Sequence, residues 1–467
     1  MKHWSFILGI GLLAGCARFQ SQPISPAESA AKLESRSLTN AVLKAFLEDN
    51  LQREFSRWPP AQWDLEMLTL AAFFYQPGLE VARAQWRVAQ AEVQTAGGRP
   101  NPTLTAGPGY NFSAASGLTP WMPFGSLDLP LETAGKRHHR IARAEHLSAA
   151  ARLNLATTAW SVRSNVRAGL LEATTARRRV AILSAQTSLT LQIVTSLEQR
   201  QRAGATSGAE LGGARIALAR TQTELADARR QQAEASARVA EAVGIQLDAL
   251  NGIELSFNLS QLPAWHELTS AAVRQQALQN RTDILGALAG YAASQSGLQL
   301  EIAKQYPDIH LNPGYQWDQG ENKWQLGLTA ELPVFNQNQG PMAEARARRA
   351  ESAARFEAAQ AKAIAEIDRT TAVLGACRTN ASASQMLAAA YQNQSESVAA
   401  QVRAGAAEPL DLLTAQLESG AVALGELEAQ VKLQQAIGAL EDAVQRPLNL
   451  PTAAFESSPN QEKENSK

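Results

Sequence analysis

The stretch that decides the fold reads Ile309-His310-Leu311-Asn312-Pro313-Gly314-Tyr315-Gln316-Trp317-Asp318, then Gln319-Gly320-Glu321-Asn322, then Lys323 to Leu332. Ile309, Leu311, Pro313, Tyr315 and Trp317 alternate with His310, Asn312, Gly314, Gln316 and Asp318. After the Gln319–Asn322 turn signal, Trp324, Leu326, Leu328, Ala330 and Leu332 alternate with Gln325, Gly327, Thr329 and Glu331. In a strand, alternate side chains point to opposite faces. Strict alternation over about nine residues is the length and pattern of a tilted strand crossing a bilayer. Trp317 and Trp324 flank the turn, where an interfacial aromatic girdle would lie.

The hairpin is written twice. Leu104, Ala106, Pro108, Tyr110 and Phe112 alternate with Thr103, Thr105, Gly107, Gly109 and Asn111, and Leu127, Leu129 and Leu131 mark a return strand. Phe112 and Trp121 lie beside that loop. Gly107–Phe112 recurs as Asn312–Trp317, Asp128-Leu129-Pro130-Leu131 as Glu331-Leu332-Pro333-Val334, and Arg202-Ala203-Gly204-Ala205 as Arg403-Ala404-Gly405-Ala406. The offsets, roughly 205, 203 and 201, keep their order, as one duplication would. The expected division is a signal peptide over 1–15, an extended lead-in over 16–63, repeats over 64–265 and 266–450, and a disordered tail over 451–467.

Each repeat has one plan: a helical stretch (about 64–97 and 266–305), two strands, a very long helix, a glycine break and a second helix. Helical periodicity runs from Pro130 to Gly204 and from Pro333 to Gly405. At 1.5 Å per residue, about 70 residues reach on the order of 100 Å. Leu410, Leu413, Leu417, Leu424, Leu427 and Val431, with Gly420 in the one missing place, and after a reset Leu433, Ile437, Leu440 and Val444, step by three and four, the spacing that pairs helices. Gly204 and Gly405 read as turns at the far tip, with Arg202 and Arg403 at helix C-termini.

Four strands cannot close a barrel, and open edges are not tolerated in hydrocarbon. The subunit must therefore pool strands with copies of itself. Two copies give eight strands, whose lumen side chains would fill; three give twelve, wide enough for a passage. The expected fold is mixed α and β: an outer-membrane β-barrel of four strands per subunit and twelve per trimer, continued by a long periplasmic α-helical barrel. No stretch after residue 16 reads as an apolar spanning helix, so any crossing is by strands.

The N-terminus opens Met1-Lys2-His3, runs apolar from Trp4 to Leu13, and reaches Leu13-Ala14-Gly15-Cys16. The charged start and short apolar run form an export signal. Leu13–Cys16 is similar to a bacterial lipobox, which implies cleavage before Cys16 and its acylation; Ala17 favours the outer membrane. Cys377, the other cysteine, reads as a packed small residue, so there is no disulfide framework. The formal net charge of −1 argues neither for nor against nucleic acid.

The duplicated hairpins and long helices, the lipobox and the Arg-Ala-Gly turns together resemble the TolC-like outer-membrane efflux proteins, over about residues 64–446. Leu129-Pro130-Leu131-Glu132 to Gly135-Lys136-Arg137 looks like a segment of the cation-efflux (CzcC-like) branch, from which Thr133-Ala134 departs. The resemblance implies a homotrimer, a periplasmic adaptor, an inner-membrane resistance–nodulation–division (RND) pump that supplies the energy, contact with outer-membrane lipid, and no nucleic acid. It also implies a periplasmic gate at Asp411, six residues after Gly405. Glu408 lies one turn before it and Glu210 is its duplicate; Thr414, at a second gate position, is not acidic. Threefold symmetry would turn each inward carboxylate into a ring that attracts cations. Read without the family, acidic residues at a helix start simply complement its dipole.

His138, His139 and His146 sit on a basic helix start. Their spacing puts His139 and His146 two turns apart, too far for one ion, so a solvated or headgroup-facing patch is expected. No catalytic motif, cofactor motif or metal spacing is present. The leading expectation is an efflux duct with heavy-metal cations as cargo. The rivals are the same duct serving drug or type I secretion export, and a lipid-anchored coiled-coil scaffold without a pore.

Overall fold

A computed structural model describes residues 19–262 and 270–448. Cys16, the signal segment and the tail 451–467 lie outside the described residues. The hairpins form as strands β2 (Thr103–Tyr110) and β3 (Trp121–Leu131), and β5 (Ile309–Asp318) and β6 (Glu321–Ala330). They join in one antiparallel sheet of order β2-β3-β5-β6, so β2 and β6 are its edges. The hairpins match residue for residue: Tyr110 faces Trp121 in one, Tyr315 faces Trp324 in the other. Both pairs are in ring contact, at 5.0 and 4.8 Å between centroids.

The turns differ. Gln319-Gly320 closes the second hairpin with positive φ at both residues, the requirement of a tight two-residue hairpin turn. The first hairpin spans a loop from Asn111 to Pro120.

Below the sheet run α4 (Pro77–Ala96), α5 (Lys136–Arg202) and α6 (Gly208–Val243) of the first repeat, and α8 (Thr282–Ala303), α9 (Gln339–Arg403) and α10 (Pro409–Val444) of the second. The long helices have 67 and 65 residues. They start at Lys136 and Gln339 rather than at the preceding prolines, because strand or loop backbone carries on to Gly135 and Asn338, both with positive φ. Near the sheet α5 packs on α4 and α8; toward the far end it packs on α6 and α10.

One 18-residue window of α5 is apolar enough, at mean hydropathy 1.4, to pass for a spanning helix, contrary to the sequence reading. Length and composition alone qualify it. Leu183, Val194 and Leu197 pack on Leu225, Ala228 and Leu211 of α6, which makes them the seam of a helix pair.

The two first helical stretches are broken, and each break has a cause. Pro77 cannot donate to the preceding turn, so α3 (Leu65–Tyr75) stops and α4 begins with proline in its first turn. Arg281 is extended between α7 (Ser270–Asn280) and α8. Its buried guanidinium donates to Asp283, Glu366 and the Ala443 carbonyl.

The lead-in is not extended. It folds as α1 (Pro26–Glu34) and α2 (Ala41–Leu51), each started by a side-chain cap, Ser25 and Asn40. Leu38, Leu43 and Leu47 are fully buried with Trp63, Leu68 and Val166 in the largest core. Arg36 donates to the Tyr75 carbonyl at 2.7 Å and the Gly244 carbonyl at 3.0 Å, covering the ends of α3 and α6. Gly244 has φ 84°, and a Cβ there would meet the Tyr75 carbonyl at 3.2 Å, so glycine is required twice over. Parallel bridges from β1 (Gln62–Trp63) to β4 (Glu254–Leu255) complete this mid-length belt.

Candidate functional site

The register sorts every strand residue onto one of two faces. Leu104, Ala106, Pro108 and Tyr110, Leu127 and Leu129, Leu311 and Tyr315, and Trp324, Leu326 and Leu328 share one face. Leu104, Trp324, Leu326 and Leu328 are each at least 70 % exposed in the protomer. The other face carries Thr103 and Thr105, Ser126 and Asp128, His310, Asn312 and Gln316, and Lys323, Gln325 and Thr329, with Met122 and Phe124 toward the hairpin loops. Polar side chains bond across this face. Asn312 donates to Thr329 at 2.8 Å, and His310 Nδ1 lies 2.9 and 3.1 Å from the Asp128 oxygens.

At the foot of the sheet the chain ties helix to strand. Asp308 accepts from the Thr133 N–H at 2.9 Å and from Lys136 Nζ at 2.8 Å, and the Thr133 hydroxyl donates to the Pro307 carbonyl. Burial pushes the Asp308 carboxyl up, but the Lys136 and Thr133 bonds outweigh it and hold it below the usual aspartate value. Arg137 and Arg140 donate to the carbonyls of Gly97, Ala96 and Gly98, closing the C-terminus of α4. The basic helix start is therefore in large part a cap. His138 and His139 touch ring to ring at 5.6 Å, and among the described residues no group of three or more His, Cys, Asp or Glu could hold a metal ion.

At the far tip the two turns are copies. Gly204 and Gly405 both have φ 74°, with Ala205 N–H donating to Arg200 O and Ala406 N–H to Gln401 O, each at 2.9 Å. This six-to-one closure needs a residue in left-handed conformation, which glycine adopts freely. Asp411 accepts from the Glu408 backbone N–H at 2.9 Å, one half of a capping box at the start of α10. Glu408 pairs with Arg200, and Glu210 and Asp411 lie close enough to add to the field that raises the Arg200 pKa. Thus three acids from both repeats gather around Arg200 at the tip, where Arg202 and Arg403 also end their helices. Leu410 joins Val194, Leu197 and Leu211 beneath them. Sequence reasoning missed Arg200, although its place on the turn before Gly204 was visible. It also missed the Asp128–His310 pair, which depends on strand register.

A sheet greasy on one face and polar on the other, carried on helix pairs about 100 Å long, is the wall of an outer-membrane channel with a helical extension. The chain belongs to the outer membrane efflux protein family, whose model matches residues 75–245 and 273–444. It is similar to the cobalt-zinc-cadmium resistance protein CzcC of Cupriavidus metallidurans, at 28 % identity over 222 residues. That match takes in 46 % of this chain and 50 % of CzcC, so it spans half the length of that relative. The outer-membrane channel CmeC of Campylobacter jejuni superposes with a TM-score of 0.68 at 15 % identity, covering 97 % of each chain. The outer-membrane protein VceC of Vibrio cholerae superposes at 0.66 and 20 % identity, covering 82 % of this chain and 96 % of that one. At these identities the superpositions show the fold alone: a mixed α and β architecture shared with those proteins.

Proposed function

We propose that three copies of this chain form the outer-membrane duct of a tripartite efflux system. A periplasmic adaptor and an inner-membrane RND pump complete it, and the cargo is divalent heavy-metal cations. The observation that carries this reading is the two-faced sheet with both edges open. In hydrocarbon every backbone N–H and C=O must be satisfied, and only further copies supply the missing ladder. The edges run in opposite directions, so β6 of one copy meets β2 of the next antiparallel, and three sheets close into twelve strands with the polar face inward. The cargo rests on the similarity to a cobalt-zinc-cadmium resistance protein and on the tip acids Glu408, Asp411 and Glu210, which threefold symmetry would array as a cation-attracting constriction. Cys16, acylated, would add a lipid anchor to the barrel.

Two measurements test the reading. The full chain in planar bilayers should conduct and run as a trimer; a non-conducting monomer would favour a lipid-anchored scaffold. A deletion strain should lose resistance to zinc, cobalt or cadmium. Unchanged metal resistance with new drug sensitivity would reassign the duct to organic export.

A further inference from the structure

We infer that the periplasmic end of the barrel carries a charge filter of its own, remote from the tip, in which Asp128, held by a bond to His310 Nδ1, and Glu331 favour cations. It rests on the trimeric-duct reading above. Asp128 on β3 and His310 on β5 are diagonal neighbours on the polar face, and both side chains are about two-fifths exposed within the protomer. The other charges around them come from every adjoining element. Asp308, before β5, is matched by Lys136 at the start of α5, Glu132 after β3 by Arg140, and Lys304 at the end of α8 by Glu301. Lys323, near the hairpin turn, is matched by Asp318. Glu331, one residue past β6, lines the same 240 Å³ recess as Asp308, His310, Lys136 and Lys304. It makes no ion pair with the described residues.

The duplication places Glu331 in the trimer. Glu331 corresponds to Asp128, and Thr105 to His310, by the residue matching of the two hairpins. Where Asp128 meets an imidazole within one copy, Glu331 meets the Thr105 hydroxyl of the next. Six carboxylates then circle the barrel foot, alternately beside histidine and beside threonine. Twelve strands about 4.8 Å apart and tilted about 40° give a backbone radius of about 12 Å. Side chains reach inward, so the axis is within about one Debye length of the ring, ~8 Å at physiological salt. The ring therefore acts on every ion that passes. It acts by its field rather than by chelation, because the described residues offer no three-ligand cluster.

The test is the reversal potential of the reconstituted full-length trimer across a potassium chloride gradient. D128N and E331Q should each lower the cation-to-anion permeability ratio, and D128N/E331Q should lower it about twofold or more. The differences should shrink at ~1 M salt, where the Debye length is about 3 Å. A wild-type ratio in D128N/E331Q, with loss of selectivity in E408Q/D411N alone, would place all discrimination at the tip and overturn the inference. Absence of any conductance from the wild-type protein would instead sink the duct reading, and the filter with it.

Discussion

Arg167 shows how one residue ties the two repeats. It leaves α5 and lies across α10, donating to the Gln434 carbonyl at 2.9 Å with Glu441 beside it. Gly438 is the reason it fits: a Cβ there would fall well inside contact with the guanidinium. Burial pulls the Arg167 pKa down against the favourable field of Glu441. Glu441 answers for two cations, since Arg163 also binds it at 3.0 Å. E441Q should therefore destabilise the protomer by about 3–5 kcal/mol, the usual penalty for a buried charge losing its partner. R167M should cost less, because Glu441 keeps Arg163 and the Leu448 N–H. G438A should cost about 1–3 kcal/mol by overpacking. Denaturant midpoints of the three variants check the order; equal losses for E441Q and R167M would refute it. Asp308 supplies a pH prediction. Its folded pKa lies below the ordinary 3.8, so its stabilisation is present above that value and is lost as pH falls through the lower, folded one. K136M removes the main lowering cause, so the variant should be less stable than wild type at neutral pH, and the difference, read from denaturant midpoints, should shrink as pH falls through the folded pKa. At this scale the sequence was half legible. Asp411 could be read as complementing the helix dipole or as a gate, and in the single chain its side chain caps the start of α10, whereas Arg167 gave no sequence signal because its hydrogen-bond partners on α10 lie 267 positions away.

The strands were the most legible elements, because period two is set by the backbone and a membrane sheet exposes both faces to strong selection by solvent. The lead-in was the least legible. Its helices are 9 and 11 residues long, too short for a periodic signal to stand out, and isolated helices of that length are marginal. The caps Ser25 and Asn40 and the pair Leu43 and Leu47 were the available clues. Three fully buried leucines contribute about 1.5–3 kcal/mol each, so L43A/L47A should unfold the mid-length belt rather than merely loosen it. The edge strands allow a register prediction. Within the chain Leu129 faces Leu311; carried through the duplication, Leu332 of one copy faces Ala106 of the next. Leu332 is 73 % exposed and lies just beyond β6, where β3, its counterpart, is still paired. L332C/A106C should form a disulfide-linked trimer on a non-reducing gel, while L328C/A106C, two side chains out of register on the same face, should not. Equal linkage of both pairs would refute the register.

Over the whole molecule the two repeats are near copies that differ where function would need a difference. One hairpin ends in a long loop and the other in a tight turn, and one foot of the sheet has a histidine where the other has a threonine. The tip differs as well. Arg200 of the first repeat reaches Glu408 of the second, and the equivalent position of the second repeat, Gln401, holds no guanidinium. Three carboxylates surround Arg200 there, with Arg202 and Arg403 on the adjoining turns, so removing Arg200 leaves Glu408 without its partner beside Glu210 and Asp411. Around a threefold axis that repulsion is shared by every copy, and spreading of the tip relieves it. R200A should therefore raise the resting single-channel conductance several-fold. It should leave the thermal melting of the protein unchanged, because exposed ion pairs contribute little to global stability and the tip lies some 100 Å from the sheet. Conductance should fall back when E408Q is added to R200A, since one of the opposed charges is then gone. A closed R200A channel, or an R200A/E408Q channel as open as R200A, would show that the arginine does not hold the tip together.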